Sequence, residues 1–251
     1  MQNHLVSVIM PMYNAERFVA EAVRSVLSQT YTTWELLIVD DGSTDRSVEI
    51  AQSFEKSDTR IRVLFNDCHN QMPSGPRNYG LRHAQGQYIA FLDSDDCWLP
   101  QKLQHQLPLF SDAGVSVVYS DYEKIDEEGT RRHRVVRAPR SVDYVKMLKS
   151  NYIGNLTGIY DRAKVGTVGI PEIHHEDYAM WLAILKKGGR AVNTNTVEGL
   201  YRIRNSSVSS HKMSLLLWQW QVYRQLEHLS PLKSLYYYFH YAVRGYLKSR
   251  I

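Results

Sequence analysis

The feature of this sequence that most constrains its fold is an alternation. Four apolar runs of strand length, residues 5–10, 36–39, 61–65 and 88–92, are separated by stretches whose apolar residues recur at helical spacing. The first of those stretches carries Phe18, Ala22, Val23, Val26 and Leu27, the stripe an amphipathic helix buries. Near-continuous apolar strands alternating with helices imply a parallel sheet covered on both faces, because parallel neighbours need a crossover that is usually helical. The expectation is therefore an α/β fold, Rossmann-like, with a mostly parallel sheet flanked by helices. Asn14 is expected to cap the first helix and Ser43 or Thr44 the second, with a third over 76–84 closed by Gly86.

Polar clusters follow three of these strands: Met12-Tyr13-Asn14, Asp40-Asp41-Gly42-Ser43 and Asp93-Ser94-Asp95-Asp96. A parallel sheet lines them up along one edge, outside the carboxyl ends of the strands, where open α/β sheets hold ligands. The third cluster is the hardest to explain by stability. Like charges so close repel and raise one another's pKa unless something positive lies among them. A divalent cation answers that, since hard cations take oxygen ligands and a magnesium-like ion uses one or two carboxylates plus substrate phosphates. The plainer alternative is a polar turn capping the next helix. The first strand–helix turn holds no glycine and no phosphate loop occurs, which removes the dinucleotide fingerprint and the ATPase signature.

Beyond Pro100 a helix is expected to about Phe110, then strands at 115–119 and 122–125 and a return at 131–136 around Glu127-Glu128-Gly129. Ser141 is expected to cap a short helix through Leu148, and Asp161 another after a strand at 157–160. His174-His175-Glu176-Asp177 opens an amphipathic helix. Acids in a first turn are favoured by the helix dipole, so by themselves Glu176 and Asp177 read as well for capping as for chemistry. Late strands are expected at 191–192 and 199–203.

Composition closes several doors. With 43% hydrophobic and 22% charged residues in 251 the chain is ordinary and globular, enough for one large or two small domains. A net charge of +4 does not call for nucleic acid. Cys68 and Cys97 have no disulfide or zinc spacing, which suits a reducing compartment. No signal-peptide pattern opens the chain, and no apolar run is long enough to span a bilayer. The tail stands apart. Two helical stretches, 215–226 and 232–247, flank Ser230-Pro231, and from Pro231 onward come Lys233, Arg244, Lys248 and Arg250 with no Asp or Glu. A basic aromatic helix of this kind suits a membrane interface; the alternative is packing back on the domain or on a partner chain.

Four ordered motifs, Val6-Ser-Val-Ile-Met-Pro-Met-Tyr-Asn14, Ser28-Gln29-Thr30, Val39-Asp-Asp-Gly-Ser-Thr-Asp45 and Asp93-Ser-Asp-Asp96, resemble family 2 glycosyltransferases over about residues 5–205. The resemblance implies a GT-A fold and inverting transfer from a nucleotide sugar. Residues 151–160, His175 to Trp181 and the tyrosine-rich tail are similar to bacterial O-antigen hexosyltransferases. That likeness implies one hexose, glucose or galactose, passed from a UDP-sugar to N-acetylhexosaminyl-diphospho-undecaprenol, with a β-linkage, in O-antigen, lipopolysaccharide or other surface polysaccharide biosynthesis. It divides the chain into a GT-A domain at 1–205, with nucleotide and acceptor halves at about 1–100 and 101–205, and a helical extension at 206–251.

The same resemblance assigns Pro11, Tyr13, Asp41, Arg77, Asp93 and Ser94 to the nucleotide, and Asp93 and Asp95 to Mn2+ or Mg2+. Asp177 would be the general base, with Glu176 as second choice. Arg202, Arg204 and His211 would serve the diphosphate and acceptor loop, together with Trp181. The processive Gln-x-x-Arg-Trp motif is absent, which implies one sugar per encounter. The expected partners are the donor, the polyprenyl-diphosphate acceptor and the inner face of the bacterial cytoplasmic membrane, with no nucleic acid and a homodimer left open. The rival readings are a non-catalytic nucleotide-sugar or glycan-binding subunit and a nucleotidyltransferase; the latter would carry a glycine-rich basic loop where Pro11 to Asn14 stand.

Overall fold

The computed structural model describes residues 4–66, 72–204 and 212–248. Its first half alternates as the sequence requires: β1 (Val6–Met12), α1 (Val19–Leu27), β2 (Trp34–Asp40), α2 (Ser47–Ser57), β3 (Ile61–Phe65), α3 (Ser74–His83) and β4 (Tyr88–Phe91). The strands lie in the order β3-β2-β1-β4, every neighbour parallel. Ile9, Leu37, Ile89 and Phe91 enter one core, and Val8, Met10, Leu36, Ile38 and Ala90 the other. That is the period-two alternation of strands buried on both faces. Leu81 of α3 lies in the first core; α1 and Ala51 of α2 lie in the second.

Helix capping departs from expectation. Asn14 does not cap α1; it sits at φ 45° and its Oδ1 accepts from Thr44 N at 2.8 Å. Neither Ser43 nor Thr44 caps α2, which begins at Ser47 after Asp45 has accepted from Ser47 N at 2.9 Å. These short polar side chains bond between neighbouring loops instead of to their own helices.

The second half runs β5 (Cys97–Trp98), α4 (Lys102–Gln106), β6 (Val115–Ile125), β7 (Arg131–Val136), β8 (Ser141–Val142), α5 (Tyr144–Met147), β9 (Ile159–Asp161), α6 (Arg162–Val165), α7 (Glu176–Lys186) and β10 (Arg190–Arg202). The sheet continues β4-β9-β6-β10-β5. Uniform parallel pairing ends here: β9 is antiparallel to β4 and β6, β5 is antiparallel to β10, and only β6 and β10 run parallel. β6 also turns straight back into β7, a tight connection that only antiparallel strands can share. The sheet is thus parallel through β3-β2-β1-β4 and mixed beyond.

Each pair of expected short strands at 115–125 and 190–202 is one long strand. In β10, register shifts between Asn193 and Gly199, with Asn195 at φ 60°, take up the polar residues that break the pattern. Ser141 enters β8, and Asp143 caps α5 in its place, accepting from Lys146 N at 2.7 Å. Asp161 caps α6 as expected. Trp181, expected to serve the acceptor, lies inside the core instead. It is fully buried, edge-on to Phe91 and Tyr160, and so close to Gly158 that a Cβ there would lie 2.4 Å from Trp181 Cζ2.

The tail forms α8 (Lys212–Gln221), a π-helical turn at Val222–Leu226 and α9 (Pro231–Lys248). It packs back on the domain: Val222 and Tyr223 join the core beneath α7, His174 stacks on Trp218 at 4.0 Å, and Glu227 pairs with Lys186 at 2.9 Å. Leu217, Leu232, Leu235 and Phe239 stay exposed. Among the described residues no helix is long and apolar enough to cross a membrane.

Lys102 of α4 is a buried charge with a measurable signature. Its Nζ donates to Gln106 Oε1 and to Thr157 O at 3.2 Å, 4.5 Å from the Trp98 ring centroid. Burial pushes its pKa down to about 7, against the pull of Glu198. The unfolded lysine keeps its proton up to roughly pH 10.4. Between those values the unfolded state binds the extra proton, so stability falls as pH drops from about 10 to 7 and then levels. Lys102→Met, which leaves Gln106 Nε2 donating to Thr157 O at 2.8 Å, is expected to raise Tm below pH 7 and flatten that slope. Calorimetric unfolding across the window checks both.

Candidate active site

The loops after β1 and β2 are laced together. Asp40 accepts from Gly42 N and Ser43 N, each at 3.1 Å, around a turn that places Gly42 at φ 87°, a left-handed conformation suited to glycine. Asn14 N donates to Ser43 Oγ at 3.0 Å, Ala15 N to Ser47 Oγ at 2.7 Å, and Glu16 N to Asp45 Oδ2 at 3.1 Å. Asp41 N donates to Met12 O at 2.9 Å, and Asn66 Nδ2 donates to the Asp41 carboxylate at 2.7 Å. Pro11 lies in β1 opposite Val39. Tyr13 follows β1 and is 60% exposed, an aromatic ring open to a ligand. Hydrogen bonds across the two loops hold their backbones together at one sheet edge, and Asn66 holds the Asp41 carboxylate.

Arg77 of α3 stands at the centre. It is 6% exposed, and its guanidinium donates through Nη2 to Asp93 Oδ1 at 2.6 Å and through Nη1 to Glu176 Oε1 at 2.7 Å. Burial alone would push its pKa down, but the charges of Asp93 and Glu176 hold it above the ordinary value, so it stays protonated. Charge-assisted pairs of this kind are strong, and breaking a buried one typically costs about 3–5 kcal/mol. Arg77 therefore straps the turn after β4 to the start of α7. The sequence expectation assigned Arg77 to the nucleotide; in the structure its Nη donors are engaged by carboxylates.

The turn after β4 closes through Asp96 N to Asp93 O at 3.0 Å, with Ser94 inside it. Asp96 is buried and accepts from Arg202 N at 2.8 Å. Asp95 Oδ2 accepts from Arg204 Nη1 at 3.2 Å. Burial and the Asp93 charge push the Asp95 carboxyl above the usual range. Two hard carboxylates on one turn, each with one oxygen on an arginine, fit a divalent cation completed by substrate phosphate. Among the described residues no group of three or more His, Cys, Asp or Glu side chains makes a cage by itself.

Arg202 is not placed to meet a diphosphate. It is buried, and its Nε donates to Asp95 O at 2.8 Å, its Nη1 to Glu127 O at 2.9 Å and its Nη2 to Glu21. Its donors hold the carboxylate turn from behind. Arg204 is the half-exposed cation of the pair. His211 lies outside the described residues.

α7 starts after His175, which takes φ 65°. Asp177 Oδ1 accepts from Tyr178 N at 2.7 Å and Oδ2 lies 3.5 Å from Asn151 Nδ2. Burial pushes the Asp177 carboxyl up, against the pull of Arg77. Glu176 is pushed up by burial too, but its carboxylate is taken by Arg77. Of the two acids, Glu176 is paired with the Arg77 guanidinium, whereas Asp177 meets the Tyr178 amide and the Asn151 side chain. Tyr122 stands edge-on to Tyr201 at 5.9 Å, and its hydroxyl is pushed up to about 12 by burial and by the charges of Asp96 and Asp177. Sequence reasoning assigned no site position to Asn66, Tyr122, Asn151 or Tyr201. Asn66 follows β3 directly, so the rule about carboxyl ends of parallel strands would have flagged it; Asn151 opens the 151–160 stretch the resemblance already singled out, and nothing local marks Tyr122 or Tyr201.

Residues 7–168 match the family model described as Glycosyl transferase family 2. The chain is 40% identical over 249 residues to the UDP-Glc:alpha-D-GlcNAc-diphosphoundecaprenol beta-1,3-glucosyltransferase WfgD of Escherichia coli, covering 99% of this chain and 96% of that protein. It is 37% identical over 244 residues to WfaP of Escherichia coli, which carries the same activity name, covering 97% and 95%. TarS of S. aureus, residues 1–349 in complex with UDP-GlcNAc, shares the fold with a TM-score of 0.71 at 20% identity, over 90% of this chain and 67% of that one. Its likeness makes the mixed sheet with flanking helices a GT-A fold. In motif, fold and full-length similarity, the chain belongs to glycosyl transferase family 2.

Proposed function

We propose that the protein is an inverting hexosyltransferase that moves one glucose or galactose from its UDP-sugar to an N-acetylhexosaminyl-diphospho-undecaprenol acceptor, forming a β-linkage in surface polysaccharide synthesis. The observation that carries the reading is the strap: Arg77 ties the Asp93 turn to the helix start that presents Asp177. A donor-side carboxylate pair and a separate, less committed carboxylate are thereby held in one site. Similarity over nearly the whole chain to two transferases named for such an acceptor supports the substrate class.

In this mechanism Asp41 accepts from the uracil imide N–H and Tyr13 stacks on the ring. Asp93 and Asp95 would hold Mn2+ or Mg2+, which when bound supplies positive charge for the departing diphosphate. Arg204, already on Asp95, adds a fixed cation at the same place. Asp177 takes the proton from the attacking hydroxyl of the acceptor. The new glycosidic bond forms on the face opposite the breaking bond, and UDP leaves with the electron pair, so the anomeric centre inverts. Burial of Asp177 makes it a stronger base than an exposed aspartate. The protein would work at the inner face of the cytoplasmic membrane, bound peripherally.

The test is UDP release from UDP-glucose, UDP-galactose and UDP-N-acetylglucosamine, with and without a synthetic N-acetylhexosaminyl-diphosphate lipid. Acceptor-dependent release from one UDP-hexose is the expected result. Tight donor binding with no transfer under any condition would favour a non-catalytic binding subunit instead.

A further inference from the structure

Two hollows lie away from the donor loops. The first, of about 90 Å³, is lined by Tyr122, Arg137, Asn151, Tyr152 and Gly154 among others. It adjoins the proposed base, because Asn151 Nδ2 lies 3.5 Å from Asp177 Oδ2. The second, of about 390 Å³, lies between α5 and α9, lined by Tyr144, Val145, Leu148, Leu232, Lys233 and Tyr236 among others. The short segment from Leu148 to Tyr152 separates them, contributing Leu148 to one and Asn151 and Tyr152 to the other.

Cations stand beside lining residues of both hollows. The Arg137 side chain is 75% exposed and meets Asp121 only at 3.4 Å. The Arg244 guanidinium of α9 lies 5.7 Å from the Tyr152 ring centroid, and Lys149 Nζ lies 5.8 Å from that of Tyr236. α9 itself carries no Asp or Glu. Outward from Asp177 the surface therefore reads as a small polar cavity, then cations, then an apolar groove. A sugar joined through a diphosphate to an isoprenoid presents its chemistry in that same order.

We propose that these two hollows form one acceptor track. The small cavity takes the acetamido arm of the hexosamine against Asn151 and the Tyr122 and Tyr152 rings. Arg137 and Arg244 hold the diphosphate, and the first isoprene units lie in the α5–α9 groove. The inference rests on the lipid-diphosphate acceptor proposed above and adds where each of its parts binds. The charge complementarity favours one anionic lipid molecule over a second copy of the chain, whose matching face would bring Lys149, Lys233 and Arg244 against themselves. Leu235 and Phe239, exposed on α9 but outside the groove, are the residues a bilayer would meet.

The test compares two synthetic acceptors in detergent, both N-acetylhexosaminyl diphosphates, one on a long isoprenoid chain and one on a short alkyl chain. The double variant Val145→Glu, Leu232→Glu changes two exposed positions, so the fold should hold. It is expected to lower the preference for the long chain over the short, read as the ratio of kcat/KM values, by about tenfold. Arg137→Ala is expected to raise KM for both acceptors by about tenfold, because the diphosphate is common to them. An unchanged chain-length preference in the groove variant, or an unmoved acceptor KM in Arg137→Ala, overturns the track. A groove variant that stops sedimenting with acceptor-free anionic vesicles, yet keeps its chain-length preference, also overturns it and makes the groove a bilayer contact. If the unaltered protein transfers to neither acceptor, the transferase reading itself fails, and that outcome is distinct from the others.

Discussion

Asp177→Asn is expected to lower kcat by about a hundred- to ten-thousand-fold while the KM for the UDP-sugar changes little. The amide keeps the shape of the carboxylate, and its oxygen can still accept from Tyr178 N, so the start of α7 should survive. What it cannot do is take a proton from the acceptor hydroxyl. The pH profile separates this from a structural loss. Burial raises Asp177 above the ordinary aspartate value, so in the unaltered enzyme the base is protonated and idle below that raised pKa. kcat should therefore climb with pH through a limb higher than an exposed carboxylate would give, and the variant should lack that limb. Glu176→Gln should behave differently. It weakens the pair with Arg77 at 2.7 Å and should appear chiefly as lost stability. If Asp177→Asn retained activity within tenfold of the parent, Asp177 would not be the base.

Asp95→Ala is expected to reduce kcat/KM by about a thousandfold, equivalent to about 4 kcal/mol of transition-state stabilisation. The substitution removes one of the two carboxylates proposed to hold the cation and frees Arg204 from its 3.2 Å contact. Asp93 would remain, with one oxygen on Arg77. A chelator applied to the unaltered enzyme should reproduce the loss, and Mn2+ or Mg2+ should restore it; neither treatment should affect the variant further. Titration of Mn2+ in the presence of UDP, followed by electron paramagnetic resonance, reads the site without turnover. Asp96→Asn makes the useful contrast, since Asp96 is buried on Arg202 N and supports the turn. Full activity of the chelated enzyme would remove the cation from the reaction.

The first half of this fold is legible because its signals are local. β1, β2, β3 and β4 are dense apolar runs, and each polar cluster follows its strand by one or two residues. Parallel pairing then brings Tyr13, Asp41 and Asp93 to one edge with no further information. The second half is different. β9 is three residues long and has no period to detect, yet it joins β4 to β6 and makes the sheet mixed. Residue type told that Arg202 could bind an anion, but whether its donors were free depended on Glu21, Asp95 and Glu127, all at least 75 positions away in the chain. Trp181 failed for a related reason. An aromatic residue one turn along the helix from Asp177 reads as readily for a ligand as for a core, and only the close approach of Gly158 decides. Glu176 and Asp177, adjacent and chemically alike, differ in the structure by one contact from a distant helix, that of Arg77 with Glu176.

On the proposed roles, that single guanidinium would also make the two substrates interdependent. One arm holds a carboxylate on the donor side and the other holds the residue before the proposed base. Any donor that draws on Asp93 changes what Arg77 has left for Glu176, and so the setting of Asp177. Thermodynamic reciprocity then requires an acceptor to alter donor affinity by the same factor. In kinetic terms the two dissociation constants form a coupled set, and initial-rate lines for the two substrates should intersect away from the axis at which independent binding would place them.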